Sequence, residues 1–169
     1  MDKNDKKLTA RQIFNKVSKD NSIKVREFTK KNKRILSINE CKTQMKDTNN
    51  IIEFENLKTY FFTDIGTVKA VDGVSFNIPR GKTVGVVGES GCGKSVTSLS
   101  LMRLVQPPAG FIVDGQIRYA RQGGAVDIAK LPISEMQKIR GNEIAMIFQE
   151  PMTSLNPVFS IGYKLDETI

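Results

Sequence analysis

Eight consecutive residues, Gly88-Glu89-Ser90-Gly91-Cys92-Gly93-Lys94-Ser95, carry the strongest chemical signal in this sequence. They read G-x-x-x-x-G-K-S, the spacing of a phosphate-binding loop. A nucleotide polyphosphate holds several negative charges at close range. Gly88, Gly91 and Gly93 lack a Cβ, so a loop built on them can wrap closely and turn backbone N–H groups inward. Lys94 supplies a mobile point charge for the β- and γ-phosphates. The Ser95 hydroxyl suits Mg²⁺, which prefers oxygen ligands and keeps several waters. Glu89, Ser90 and Cys92 fill the variable loop positions and Val96 follows the serine. All four belong to the expected nucleotide-contacting stretch.

Two flanking segments must hold this loop. The apolar run Thr83-Val84-Gly85-Val86-Val87 predicts a buried parallel strand. From Ser95 to Leu104, Val96, Leu99 and Met102 recur at helical spacing. The start of that helix would add four unpaired N–H groups and the positive end of its dipole. Strand, loop and helix in this order favour phosphate binding over a glycine-rich turn that merely caps a helix. Within the loop, Cys92 reads as a small filler rather than a redox group.

The remaining composition narrows the function classes. The chain has 169 residues, room for one ordinary domain with a core. Its net charge is +8, and residues 1–50 carry all of it, with 14 Lys and Arg against 6 Asp and Glu. Two cysteines, Cys41 and Cys92, make no disulfide framework and fit a reducing compartment. The absence of histidine removes the usual general base and the commonest transition-metal ligand. No apolar run is long enough to span a membrane, and the charged N-terminus lacks the apolar core of a signal peptide.

Along the chain, residues 1–50 predict a basic, partly disordered or helical extension. A capping box at Thr9 to Gln12 precedes Ile13, Phe14 and Val17 on one helical face. A second weak amphipathic stretch contains Ile23, Phe28, Ile35 and Ile38. A solvated arm is the plain reading, with an anionic-lipid or nucleic-acid contact behind it; few aromatics are present for base stacking. Lys46 to Asn50 reads as a linker. Strands are expected over residues 51–57, 68–71 and 74–78, with a turn at Thr63 to Gly66 and another at Pro79 to Lys82. Asp114-Gly115 predicts a two-residue hairpin turn between Phe111–Val113 and Gln116–Tyr119. A capping box at Ser134 to Gln137 predicts a short helix ending near Gly141. Ile144 to Phe148 reads as a central strand, stopped by Gln149-Glu150-Pro151, and Ile161 onward as a helix start.

With the loop and Phe148-Gln149-Glu150-Pro151 both on the page, the chain resembles the ATP-binding subunit of ABC transporters. The resemblance runs from about Ile51 to Ile169. Residues 146–157, Met-Ile-Phe-Gln-Glu-Pro-Met-Thr-Ser-Leu-Asn-Pro, are similar to the Q-loop region of the oligopeptide and dipeptide importers, whose relatives carry nickel. The resemblance implies an α/β fold: a P-loop NTPase core of ABC type with an antiparallel β subdomain, here its N-terminal part, preceded by the basic extension. It implies ATP and Mg²⁺ as cofactors. Phe61 would stack on adenine, with Tyr60 the near alternative, and Val68 would border the base or ribose. Lys94 and Gln149 would be the catalytic groups, and Ser95 and Gln149 the metal-facing ones. The implied partners are integral membrane permease subunits, a second ATP-binding subunit in a head-to-tail dimer and, indirectly, an extracytoplasmic substrate-binding protein. Nucleic acid is not an expected partner. The implied location is the cytoplasmic face of the membrane.

Departures from the family pattern set the expectation for activity. The sequence has no L-S-G-G-Q signature, no apolar strand ending in Asp-Glu and no switch histidine. The family carries these further along, so the chain resembles the first part of a longer protein. Phosphoryl transfer depends mostly on positioning and charge stabilisation. The expectation is nucleotide binding without efficient turnover, and poor solubility or molten character for the isolated chain. A non-transport ABC ATPase, or a non-catalytic nucleotide-binding fragment, is the alternative. The choice among oligopeptides, dipeptides and nickel chelates is made by other subunits.

Overall fold

A computed structural model describes residues 9–32, 36–105, 107–149 and 160–166. In chain order the elements are α1 (Ala10–Asn32), α2 (Ile38–Cys41), β1 (Lys42–Thr43), β2 (Asn50–Thr63) and β3 (Gly66–Pro79). Then follow α3 (Lys94–Leu101), β4 (Gly110–Arg121), β5 (Gly124–Asp127), α4 (Ile133–Ile139) and α5 (Ile161–Asp166). The strands form one five-stranded sheet in the order β1-β5-β4-β2-β3. Every pairing in it is antiparallel.

The sheet is built around a long hairpin. β2 and β3 are 14 residues each, with Asp64 and Ile65 at the tip and Thr63 opposite Gly66. The turns expected at Thr63 to Gly66 and at Pro79 to Lys82 are both present. A buried seam runs between this sheet and the helices, including Phe54, Leu57, Val71, Ile117, Met136 and Ile139. Each such side chain contributes about 1.5–3 kcal/mol on burial.

Among the described residues of the basic third, α1 packs against the sheet. α1 is a single helix of 23 residues that takes in Ile13, Phe14 and Val17 of the first amphipathic stretch and Ile23 and Phe28 of the second, while Ile38 begins α2; Ile13, Phe14 and Ile23 are exposed. It opens with the capping box at Thr9: the Thr9 amide donates to Gln12 Oε1 at 2.9 Å, and the Gln12 amide to Thr9 Oγ1 at 3.4 Å. Val17, Asn21, Val25 and Phe28 form its covered stripe. The segment expected as a linker is tied to β2. The amides of Lys46 and Asp47 and the Asn50 side chain each donate to the buried Glu53 carboxylate at 2.9 Å. Cys41 is buried in the core, and β1 extends the sheet through β5.

Four local expectations are corrected. Asp114-Gly115 is not a hairpin turn: β4 runs straight through it. The register with β2 slips there, and Gly115 sits at φ 91° facing Asn56 at φ 48°. A Cβ on Gly115 would lie 2.4 Å from the Asn56 carbonyl oxygen, so the glycine serves a bulge pressed against the neighbouring strand. The actual two-residue turn is Gln122-Gly123, between Arg121 and Gly124. α4 starts at Ile133 with Pro132 at its N-cap, so Ser134 lies inside the helix.

The other two corrections concern the apolar runs. Residues 83–87 are not in a strand, and Val87 is 96% exposed. Ile144 makes one isolated parallel bridge to Arg140, residues 145–148 have no regular structure, and Ile147 is 92% exposed. A parallel strand holds its place through neighbours on both edges and layers on both faces. Among the described residues, no such neighbours reach these runs. Residues 150–159, including the Glu150 to Pro157 motif, lie outside the described residues.

Candidate nucleotide-phosphate site

α3 holds the loop against the sheet. Its inward positions are polar: Thr97 Oγ1 donates to the Gly93 carbonyl at 3.0 Å, and Ser100 Oγ lies 2.9 Å from Thr59 Oγ1 of β2. The fully buried Ser100 also donates to the Val96 carbonyl at 2.7 Å. Behind α3, the Arg140 guanidinium donates to the Met102 and Arg103 carbonyls at 2.8 and 2.7 Å. A cation at a helix C-terminus complements the dipole and leaves the N-terminal end electropositive. Arg103 donates to the carbonyls of Ile128, Ala129 and Leu131. Burial first, and the nearby Arg140 second, hold Arg103 below the usual arginine range.

The loop curls over the start of α3. The Cys92 amide donates to the Glu89 carbonyl at 3.3 Å, and Gly91 and Gly93 take φ of 81° and 93°. Lys94 Nζ turns back into the loop, 2.6 Å from the Gly88 carbonyl oxygen and 2.7 Å from that of Glu89. Cys92 Sγ lies 3.5 Å from the same nitrogen. A Cβ on Gly88 would come within 2.6 Å of Cys92 Sγ, so a side chain there would have to displace the Cys92 thiol. A mobile cation inside a glycine rim at a helix N-terminus fits a polyphosphate. Ser90 and Ser95 are exposed, and Val96 is half-buried behind them.

Gly93 has a second duty that the motif alone does not reveal. A Cβ there would fall 2.2 Å from the Ala70 carbonyl oxygen of β3, beside Val71. The loop therefore seats directly on the hairpin. The pleat decides which hairpin residues share its side. Thr59 and Val71 face α3 and the loop, and Phe61 and Val68 are direct partners one pleat further out. Phe61 is half-buried, its ring lying over Gly110. Val68 is exposed. Tyr60 falls on the opposite face, where its hydroxyl donates to Asp72 and Lys69 Nζ stands 5.5 Å from the ring centroid. The bond to Asp72 pushes the Tyr60 hydroxyl above its usual range. Gln149 is an exposed bend residue with no hydrogen bond to Lys94 or Ser95 among the described residues.

A family model described as ABC transporter matches residues 71–164, more than half of the chain. The chain belongs to the ABC transporter family. Its mixed α/β architecture, with loop, helix and antiparallel sheet, is that of an ABC ATPase domain. The chain is 52% identical over 119 residues to the oligopeptide transport ATP-binding protein AppD of Bacillus subtilis (strain 168), covering 70% of this chain and 35% of the relative. It is 46% identical over 119 residues to the dipeptide transport ATP-binding protein DppD of the same strain, covering 70% and 34%. It is 43% identical over 124 residues to the glutathione import ATP-binding protein GsiA of Escherichia coli O157:H7, covering 73% and 20%. The chain thus spans about a third or less of the length of these relatives. ABC ATPase domains bind nucleotide with a divalent metal. No helix among the described residues is long and apolar enough to cross a membrane.

Proposed function

We propose that this chain supplies the ATP-binding phosphate loop of an importer for peptides, a peripheral subunit acting on the cytoplasmic face of a membrane beside permease subunits. The observation that carries this reading is Lys94 held inside the glycine rim at the start of α3. The names of the relatives give the peptide class.

In this reading Gly88 to Val96 wrap the phosphates with backbone N–H groups. Lys94 exchanges its two carbonyl partners for phosphate oxygens. Phe61 and Val68, on the loop side of the hairpin, receive the base and ribose. Ser95 and Gln149 are the oxygen donors for Mg²⁺, which when bound neutralises charge across the β- and γ-phosphates. Hydrolysis requires further groups to orient the attacking water, and those belong to the assembled transporter with its second ATP-binding subunit. Co-purification with an integral membrane permease, together with binding of Mg·ATP by calorimetry, tests the reading. Lack of nucleotide binding by the chain, or a purely soluble complex, would overturn it.

A further inference from the structure

α1 sits on the back of the same hairpin whose front carries Phe61 and Val68. Three contacts fix it there. Asn21 is buried, and its single amide engages both strands: Nδ2 donates to the Thr63 carbonyl at 2.7 Å, and Oδ1 accepts from Thr67 Oγ1 at 2.9 Å. Phe28 stacks on Phe62 at 5.7 Å between centroids and leans on Phe111 at 5.6 Å. Ser18 reaches Asp64 at the tip. A buried amide with both ends satisfied by one hairpin marks a specific seat, because either end left alone there would be costly.

We infer that α1 is a positioning brace for nucleobase recognition: by clamping Thr63 to Thr67 and covering Phe62, it sets the hairpin twist that aims Phe61 and Val68. Thr67 adjoins Val68, and Phe62 adjoins Phe61, so the clamp acts one residue from each. The inference rests on Phe61 and Val68 being the base-contacting pair. It goes beyond the family match, which begins at residue 71 and leaves α1 outside. The phosphate loop rests on Ala70 and α3 instead, so the brace should act on the base and not on the phosphates.

The full chain separates these contributions when Mg·ATP and Mg·tripolyphosphate are titrated in parallel. Asn21→Ala and Phe28→Ala are expected to weaken Mg·ATP by about five- to tenfold, the scale of one aromatic stacking contact. Tripolyphosphate binding should stay within about twofold, because it lacks the base. Thr67→Val, which keeps the volume, should give the same pattern more weakly. Met136→Ala, a buried position of α4 outside the clamp, should lower the melting temperature without changing the ratio of the two affinities. Equal weakening of both ligands by the α1 variants, or no change in either, overturns the brace. A parent chain that binds tripolyphosphate but not ATP more tightly removes Phe61 and Val68 as base contacts, and the brace with them. A parent chain that binds neither ligand removes the nucleotide reading itself.

Discussion

Lys94 and Gly93 divide the work of the loop, and substitutions separate them. Lys94 contacts only exposed loop carbonyls and the Cys92 sulfur, so removing its side chain leaves no buried group without a partner. Lys94→Ala is therefore expected to keep the melting temperature. It should cut Mg·ATP affinity by ten- to a hundredfold, from the loss of charge-assisted bonds of about 1.5–3 kcal/mol. Unchanged affinity by calorimetry would remove Lys94 from the site. Gly93→Ala should do the reverse. The added Cβ meets the Ala70 carbonyl at 2.2 Å in a left-handed conformation, so the fold itself loses about 1–3 kcal/mol. Gly91 shares the positive φ but has open space around it. Gly91→Ala should therefore cost less in a thermal melt, and an equal loss would show that backbone conformation alone governs both sites.

At the scale of elements, the buried Glu53 is where β2, the preceding turn and β4 meet. Burial pushes its carboxyl up, but donors from Asn50, Lys46 and Asp47, with the Arg118 guanidinium, outweigh this and hold it below its ordinary 4.5. A depressed carboxylate stabilises the fold fully above the unfolded value and loses that contribution as pH falls through the folded value. Stability is thus expected to fall on acidification below about pH 4.5, and Glu53→Gln should flatten that acid limb in denaturation curves. Glu53→Ala strands three donors and should cost about 3–5 kcal/mol. A pH profile identical to the parent's would show that other carboxylates govern the acid limb.

For the whole molecule, the decisive feature is two apolar runs that pair with no strand among the described residues. Val84, Val86 and Val87 on one side of the loop, and Ile147 and Phe148 beyond α4, are exposed. Exposed apolar surface on this scale promotes self-association and dye binding. The purified chain is expected to bind an apolar fluorescent dye and to associate with rising concentration. The double variant Val87→Lys with Ile147→Lys should reduce both in light scattering while keeping the strand signal in circular dichroism. A parent that stays monodisperse at rising concentration and binds no dye would overturn this.

The sequence by itself determined the glycine-rich loop, the helix behind it, the turn at Thr63 to Gly66 and the ABC resemblance. These depend on local rules: glycine where the backbone must wrap, a lysine at fixed spacing, and apolar periodicity. It misplaced what depends on partners far away in the chain. Asp114-Gly115 has the composition of a hairpin turn, yet only the bulge at Asn56 across the sheet decides that β4 continues. Residues 83–87 and 144–148 have the composition of central strands, yet a strand exists only with neighbours to pair with. Weak periodicity made α1 look marginal, because Asn21 reads as polar until Thr63 and Thr67 satisfy it. Tyr60 and Phe61 are adjacent aromatics in the sequence. The pleat alone put Phe61 on the loop's side and Tyr60 on the other, because successive strand residues point to opposite faces.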